Sequence, residues 1–102
     1  MGMGNLARMA QQMQADMART EEELRSLRLE GTAGGGAVTA VVTGRQELVS
    51  VTIDPAVVDP EDVEMLQDLV TAAVNDGLRS AREEAEQRMA RVTGGLRIPG
   101  LG

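Results

Sequence analysis

The stretch that decides the fold reads Asp54-Pro55-Ala-Val-Val-Asp59-Pro60-Glu-Asp-Val-Glu-Met-Leu-Gln-Asp-Leu-Val-Thr-Ala-Ala-Val-Asn-Asp-Gly77. It predicts the end of a strand, a turn and the start of a long helix. We expect Asp59 to cap the helix and Pro60 to take its first position. Apolar residues then recur every three or four positions, at Val63, Leu66, Val70, Ala73, Val74, Gly77, Leu78, Ala81, Ala85, Met89 and Val92. The pattern predicts one helix of roughly 50 Å, from Pro60 to about Val92.

One small domain cannot bury an apolar stripe of this length. The sequence also contains no Phe, Tyr or Trp, so the hydrophobic core of a monomer would be small. We therefore expect a homodimer. The predicted interface comprises Val41, Leu48, Leu66, Val70, Val74 and Gly77. A glycine inside a helix costs about 1 kcal/mol relative to alanine. Gly77 indicates either a close backbone approach to a neighbouring helix or simple tolerance of that cost.

Before this stretch, the sequence predicts a first helix over residues 5–28 and a short strand over residues 27–30. A flexible glycine-rich connection, residues 31–36, leads to strands at residues 37–43 and 48–53. Val38, Ala40 and Val42 would share one face of the sheet, as would Val49, Val51 and Ile53. The expected class is α+β, in the order α-β-β-β-α with a three-stranded antiparallel meander. Residues 1–95 would form one domain, and residues 96–102 a flexible tail.

Composition argues against most catalytic functions. The chain has no His, Cys, Tyr or Lys, so the usual acid–base groups and nucleophiles are reduced to carboxylates and a few hydroxyls, and thiolate metal sites are excluded. We predict no enzyme, no cofactor and no metal site. The glycine run lacks the Gly-Lys-Ser/Thr ending of a phosphate-binding loop and precedes a strand. No apolar run approaches the length of a membrane span, and we expect a cytoplasmic protein without membrane contact.

Several segments are similar to one known family. They are Gly34 to Gly36, Ile53-Asp54-Pro55, Glu64-Met65-Leu66-Gln67-Asp68-Leu69-Val70, Ala72-Ala73-Val74-Asn75-Asp76, and Thr93-Gly94-Gly95 with Pro99-Gly100. Together they resemble the YbaB/EbfC family of bacterial nucleoid-associated proteins over nearly the whole chain. The resemblance implies a tweezer-shaped homodimer that holds DNA between helical arms from the first and last helices, with localisation at the nucleoid. The absence of lysine departs from the family and leaves fewer cationic contacts for phosphate.

The net charge of −6 is unevenly distributed. Residues 59–78 carry six acids and no arginine, whereas residues 79–102 carry five arginines and three acids. Arg8 and Arg19 are eleven residues apart, about three turns, and so share a helix face. A DNA-binding dimer would use them with the remaining predicted contacts, Gln11, Gln12, Arg82, Arg88 and Arg91, mostly on the DNA backbone and with little sequence preference.

Two alternatives stay open. In the first alternative, the arginines only form ion pairs with acids of the same helix. Four such pairs have the favourable spacing of four residues: Glu21–Arg25, Arg79–Glu83, Arg82–Glu86 and Glu84–Arg88. In the second alternative, the chain is a dimeric protein-interaction adapter, whose acidic centre and exposed helical stripes recruit another protein and whose DNA contact is weak or indirect. DNA repair or replication proteins would be further partners under either hypothesis. The strength and salt dependence of duplex binding separates the two.

Overall fold

The computed structural model describes residues 2–94. It contains, in chain order, helix α1 (Gly2–Ser26), strands β1 (Arg28–Ala33), β2 (Val38–Thr43) and β3 (Leu48–Ile53), a short 3-10 helix (Pro55–Val57) and helix α2 (Val63–Thr93). The predicted α-β-β-β-α order is confirmed. The predicted tail, residues 96–102, lies outside the described residues.

The three strands form an antiparallel sheet in the order β1-β2-β3. β1 continues to Ala33, three residues beyond the predicted end, because Gly31 and Thr32 pair with Ala40 and Thr39 of β2. The glycine-rich connection therefore shrinks to the turn after β1. Gly34, Gly35 and Gly36 all have positive φ there, at 65°, 68° and 93°, which glycine adopts without steric cost.

A bulge interrupts the pairing of β2 with β3. Val38 pairs with Ile53 and Ala40 with Val51, but Val42 pairs with Leu48. Val49 is the extra residue of the bulge, and it remains 50% exposed. The prediction that Val49 lies on the inner face with Val51 and Ile53 is wrong, because a bulge breaks the alternation of side chains on which that prediction rested.

α2 begins at Val63 rather than at Pro60. The Asp62 carboxylate accepts a hydrogen bond from the Met65 backbone N–H (3.1 Å) and is the N-cap. Asp59, the predicted cap, accepts instead from the Glu61 N–H (2.9 Å), and its carbonyl accepts from the Asp62 N–H (2.9 Å). Those bonds close a separate turn before the helix, since aspartate stabilises such turns as readily as it caps helices.

α2 covers one face of the sheet, where the core lies. Val38, Ala40 and Val42 are completely buried, which confirms their predicted common face, and Ala73 of α2 is buried against them. The side chains are small, so the helix and the sheet lie close together. α1 makes few contacts with the sheet, and its Leu24 lies against Gly44, which directly follows β2. Within residues 2–94, no helix covers the opposite face of the sheet.

The closest approach of α2 to the sheet is at Gly31 of β1 and Gly77 of α2. A Cβ placed on Gly31 would lie 2.7 Å from the Gly77 Cα and even closer to backbone atoms of Gly77 and Ala73. Backbone atoms inside a strand and a helix cannot move aside. Gly77 lies at this close approach, and its neighbour is a strand rather than a helix. A Cβ on Gly77 would nevertheless stand 3.4 Å from its nearest atoms, the Gly31 N and a Val42 methyl group, so the close approach requires glycine at position 31 and not at 77.

Replacing Gly31 with alanine is expected to lower the free energy of unfolding by about 3 kcal/mol or more, because the new methyl group overlaps backbone atoms of α2. Gly4→Ala is the control: it lies in α1 with nothing within 4 Å of its added Cβ, and should stabilise by about 0.5–1 kcal/mol. Urea unfolding followed by circular dichroism measures both. Equal midpoints for Gly31→Ala and the wild type would contradict the close crossing.

Candidate nucleic-acid interface

The molecule is elongated, with extents of 71 × 28 × 16 Å. The second half of α1 packs on the second half of α2, where Thr20 and Leu24 of α1 and Ala81 of α2 are buried. The first half of α1 is different, because every residue from 3 to 12 is exposed. A long helix that is buried at one end and exposed at the other is suited to reach a partner.

The two helices run antiparallel: Glu23 of α1 contacts Arg88 of α2, whereas Gly31, which follows α1 in the chain, lies at the earlier Gly77 of α2. Six residues beyond Arg88, Gly94 is about 9 Å further along, level with about residue 17 of α1. Residues 3–15 of α1, here called the α1 arm, therefore extend past the described end of α2. The only charged side chain in the α1 arm is Arg8.

Three of the predicted DNA-contacting arginines are exposed and uncompensated. Arg8, Arg82 and Arg91 have no carboxylate of the described residues within ion-pair distance. Arg82 and Arg91 are nine residues apart, about two and a half turns, and so lie on opposite sides of α2. The sequence prediction put both arginines on the last helix, which is right, but they do not lie on one face of it.

Arg19 is paired, although it shares a face with Arg8. Its guanidinium donates to the Asp16 carboxylate (3.1 Å), which also accepts from the Gln12 side-chain amide (3.0 Å). Both partners of this pair keep much of their side chain exposed, and such surface pairs contribute little. Gln11 is exposed. The face from Arg8 to Arg19 therefore carries two cations and one acid.

Arg88 is held between two carboxylates. Its Nε donates to Glu84 (2.9 Å) and its Nη1 to Glu23 (3.3 Å). The hydrogen bond to Glu84 raises the pKa of Arg88 above its ordinary value, and the charges of both glutamates add to that effect. The side chain is only 25% exposed. In this position Arg88 joins the two helices.

Only one of the four predicted ion pairs forms among the described residues. Glu84–Arg88 is present, whereas Arg25 pairs with Glu22 (2.6 Å) instead of Glu21, and Arg79 with Asp76 (3.2 Å) instead of Glu83. Glu86 is not within ion-pair distance of Arg82. Acids at spacings of three and four are both within reach of an arginine on a helix, so spacing alone does not select the partner.

In the second half of the chain, the acids that no arginine balances lie before residue 79, with four of them at the far end of α2, whereas Glu83, Glu84 and Glu86 stand among the arginines of its second half. Asp59, Glu61, Asp62 and Glu64 surround its start, roughly 40 Å along the helix from Arg91 at 1.5 Å per residue. The negative net charge is thus separated from the exposed arginines by more than a Debye length of about 8–10 Å. At physiological salt, a phosphate near Arg91 would therefore feel little repulsion from the acids at the start of α2.

The residues of the predicted dimer interface occupy different environments. Leu48 is 50% exposed, and Val41 and Leu66 are partly buried. Val70 and Val74 pack against the core of their own subunit. Gly77 is buried where α2 crosses β1. A second subunit can reach Leu48, Val41 and Leu66. The other three residues already pack largely or fully within their own subunit.

No helix within residues 2–94 is long and apolar enough to cross a membrane. The same residues bring no three His, Cys, Asp or Glu side chains together in a way that could hold a metal ion.

Two residues that matter at this surface were missed in the sequence. Asp16 was detectable, because it lies three residues before Arg19, a spacing that favours an ion pair. Glu23 was not, since it is 65 positions from Arg88, and only the packing of α1 on α2 brings them together.

Residues 1–96 match the model of the YbaB/EbfC DNA-binding family. Proteins called nucleoid-associated protein are similar to the chain along nearly its whole length. The one from Moorella thermoacetica is 54% identical, covering 99% of this chain and 100% of its own, and the one from Alkaliphilus metalliredigens is 52% identical, covering 97% and 87%. The crystal structure of the uncharacterized protein HP0035 from Helicobacter pylori is similar with a TM-score of 0.75 at 26% identity, covering 95% of this chain and 99% of that one. The resemblance seen in the sequence is confirmed.

Proposed function

The chain belongs to the YbaB/EbfC DNA-binding family, and we propose that it binds duplex DNA as a nucleoid-associated homodimer through arginines of its helices, largely by contacts to the DNA backbone. The family is one of DNA-binding proteins rather than enzymes, in agreement with the sequence prediction. The observation that carries the proposal is the separation of charge: Arg8 and Arg91 are exposed and uncompensated at one end, and the acids surround the start of α2 at the other.

Contacts to the DNA backbone would come first from Arg8, Arg82 and Arg91. Arginine presents a planar fork of N–H donors that matches phosphate oxygens. Arg19 would join them by exchanging Asp16 for a phosphate, since the Arg19–Asp16 pair is exposed. Gln11 and Gln12 would add hydrogen bonds along the same arm. Nothing in the α1 arm resembles a groove-reading motif, so we expect little sequence preference.

The homodimer rests on surface that one subunit leaves open. One face of the sheet has no helix over it, and Leu48 is half exposed on the edge strand β3. The other edge of the sheet is partly closed, because the Thr32 N–H of β1 donates to the Asp76 carboxylate of α2 (3.0 Å). We therefore place the second subunit at the β3 edge, where it would contact Val41 on the open face of the sheet and Leu48, which pairs with Val42 and so lies on the other face. Each dimer would carry two α1 arms.

A protein-interaction adapter is the second candidate. The acidic start of α2 and the net charge of −6 favour it, as does the half-exposed Val63 beside those acids. In that function the acids would recruit a basic protein, such as a DNA repair or replication protein, and DNA contact would be indirect.

Duplex binding should weaken steeply with salt. Three arginines per subunit give about six phosphate contacts in a dimer, so the slope of log K against log salt is expected near −5. Replacing Arg8 and Arg91 with alanine should make the slope shallower by about 3–4. The control Arg45→Ala removes one arginine from the β2–β3 turn, outside both helices, and should leave the slope unchanged. Fluorescence anisotropy with a labelled duplex measures all three proteins. Absence of wild-type binding at low salt would favour the adapter.

Sedimentation equilibrium at micromolar concentration should give about twice the chain mass of 10.8 kDa. Leu48→Asp is expected to shift the protein to monomer, because it places a charge in the proposed interface. Val63→Asp is the matched control: Val63 is 51% exposed against 50% for Leu48, but lies at the start of α2. A folded wild-type monomer would contradict the homodimer, and a Leu48→Asp dimer would contradict its placement.

A further inference from the structure

The ion pair between Glu23 and Arg88 is unlike the others among the described residues. Each of the other four joins residues three or four apart on one helix, whereas Glu23–Arg88 joins α1 to α2 across 65 positions. It lies beside the surface that carries Arg91, which is three residues, less than one turn, from Arg88.

The two carboxylates on Arg88 hold different parts of the guanidinium. Glu84 accepts from Nε at 2.9 Å, a distance typical of a strong charge-assisted hydrogen bond. Glu23 accepts from Nη1 at 3.3 Å, which is longer and weaker. A guanidinium has five N–H donors in a fixed fork. Glu84 therefore fixes the orientation of the group, while Glu23 occupies one of the terminal N–H donors, which a phosphate could otherwise accept from.

Glu23 is also the partner that can move. Its side chain is 50% exposed, against 29% for Glu84. Among the described residues, no arginine other than Arg88 lies within ion-pair distance of Glu23, and Arg25 pairs with the neighbouring Glu22 (2.6 Å). If Glu23 left, Arg88 would keep its bond to Glu84 and present its outer N–H groups to solvent.

We infer that Glu23 competes with DNA phosphate for Arg88 and so limits the affinity of the protein for DNA. This inference rests on the proposed function, because it needs duplex DNA as the ligand. In the free protein Arg88 is then bound to Glu23 and not available to phosphate. Glu23, on the facing helix α1, is a residue that determines DNA affinity. The α1–α2 contact and the DNA contact draw on the same guanidinium, and each weakens the other.

The test compares Glu23→Gln with Glu21→Gln. Both remove one negative charge from the same segment of α1, but Glu21 has no arginine of the described residues within ion-pair distance. Each variant is titrated with a labelled duplex at several salt concentrations. Glu23→Gln should raise the affinity about three- to ten-fold more than Glu21→Gln does. It should also steepen the slope of log K against log salt by about 0.9 for each arginine newly engaged.

The double variant Glu23→Gln/Arg88→Gln separates release of Arg88 from simple loss of charge. If the inference holds, the gain in DNA affinity of Glu23→Gln over Glu21→Gln disappears when Arg88 is also replaced. Circular dichroism checks that each variant stays folded. Equal affinities of Glu23→Gln and Glu21→Gln, or a gain that survives in the double variant, would overturn the inference while wild-type binding keeps the proposed function. A wild-type protein that does not bind the duplex would overturn both.

Discussion

The close crossing of α2 over β1 is the constraint on which the rest of the structure depends. At Gly31 the backbone of β1 comes so near to that of α2 at Gly77 that a single methyl group on Gly31 does not fit. With no aromatic side chains, the core between helix and sheet is made of small residues, and it needs this short distance to be filled. The crossing fixes the direction of α2, and the direction of α2 decides where its arginine-bearing end meets α1.

Most of the fold was predictable because its signals are local. Turn glycines, alternating valines and three- or four-residue apolar spacing gave the α-β-β-β-α order. The errors occurred where two local signals compete or where distant residues decide. Asp59 and Asp62 are both good helix caps, and only the hydrogen bonds distinguish them. The bulge at Val49 and the extension of β1 through Gly31 depend on pairing with β2, which a local pattern does not contain.

The sequence predicted which residues make up the candidate site, but not which of its arginines are paired with acids. Arginines on two helices can be read from the sequence, as can the acid-rich start of α2. Which arginines are neutralised depends on rotamers and on helix packing. Asp16 holds Arg19, and Glu23 reaches Arg88 from the other helix. Of the nine arginines in residues 2–94, four pair with an acid (Arg19, Arg25, Arg79 and Arg88) and five do not. We expect DNA affinity to depend mainly on the unpaired ones.

The central claim is that DNA phosphates contact the uncompensated arginines Arg8, Arg82 and Arg91. The most direct measurement is an NMR titration that follows the Nε–Hε signals of the arginine side chains as a duplex is added. Those three signals should shift most, and that of Arg45, on the β2–β3 turn, should stay in place. Equal shifts at Arg45, or no shift at Arg8 and Arg91 with DNA bound, would contradict the account.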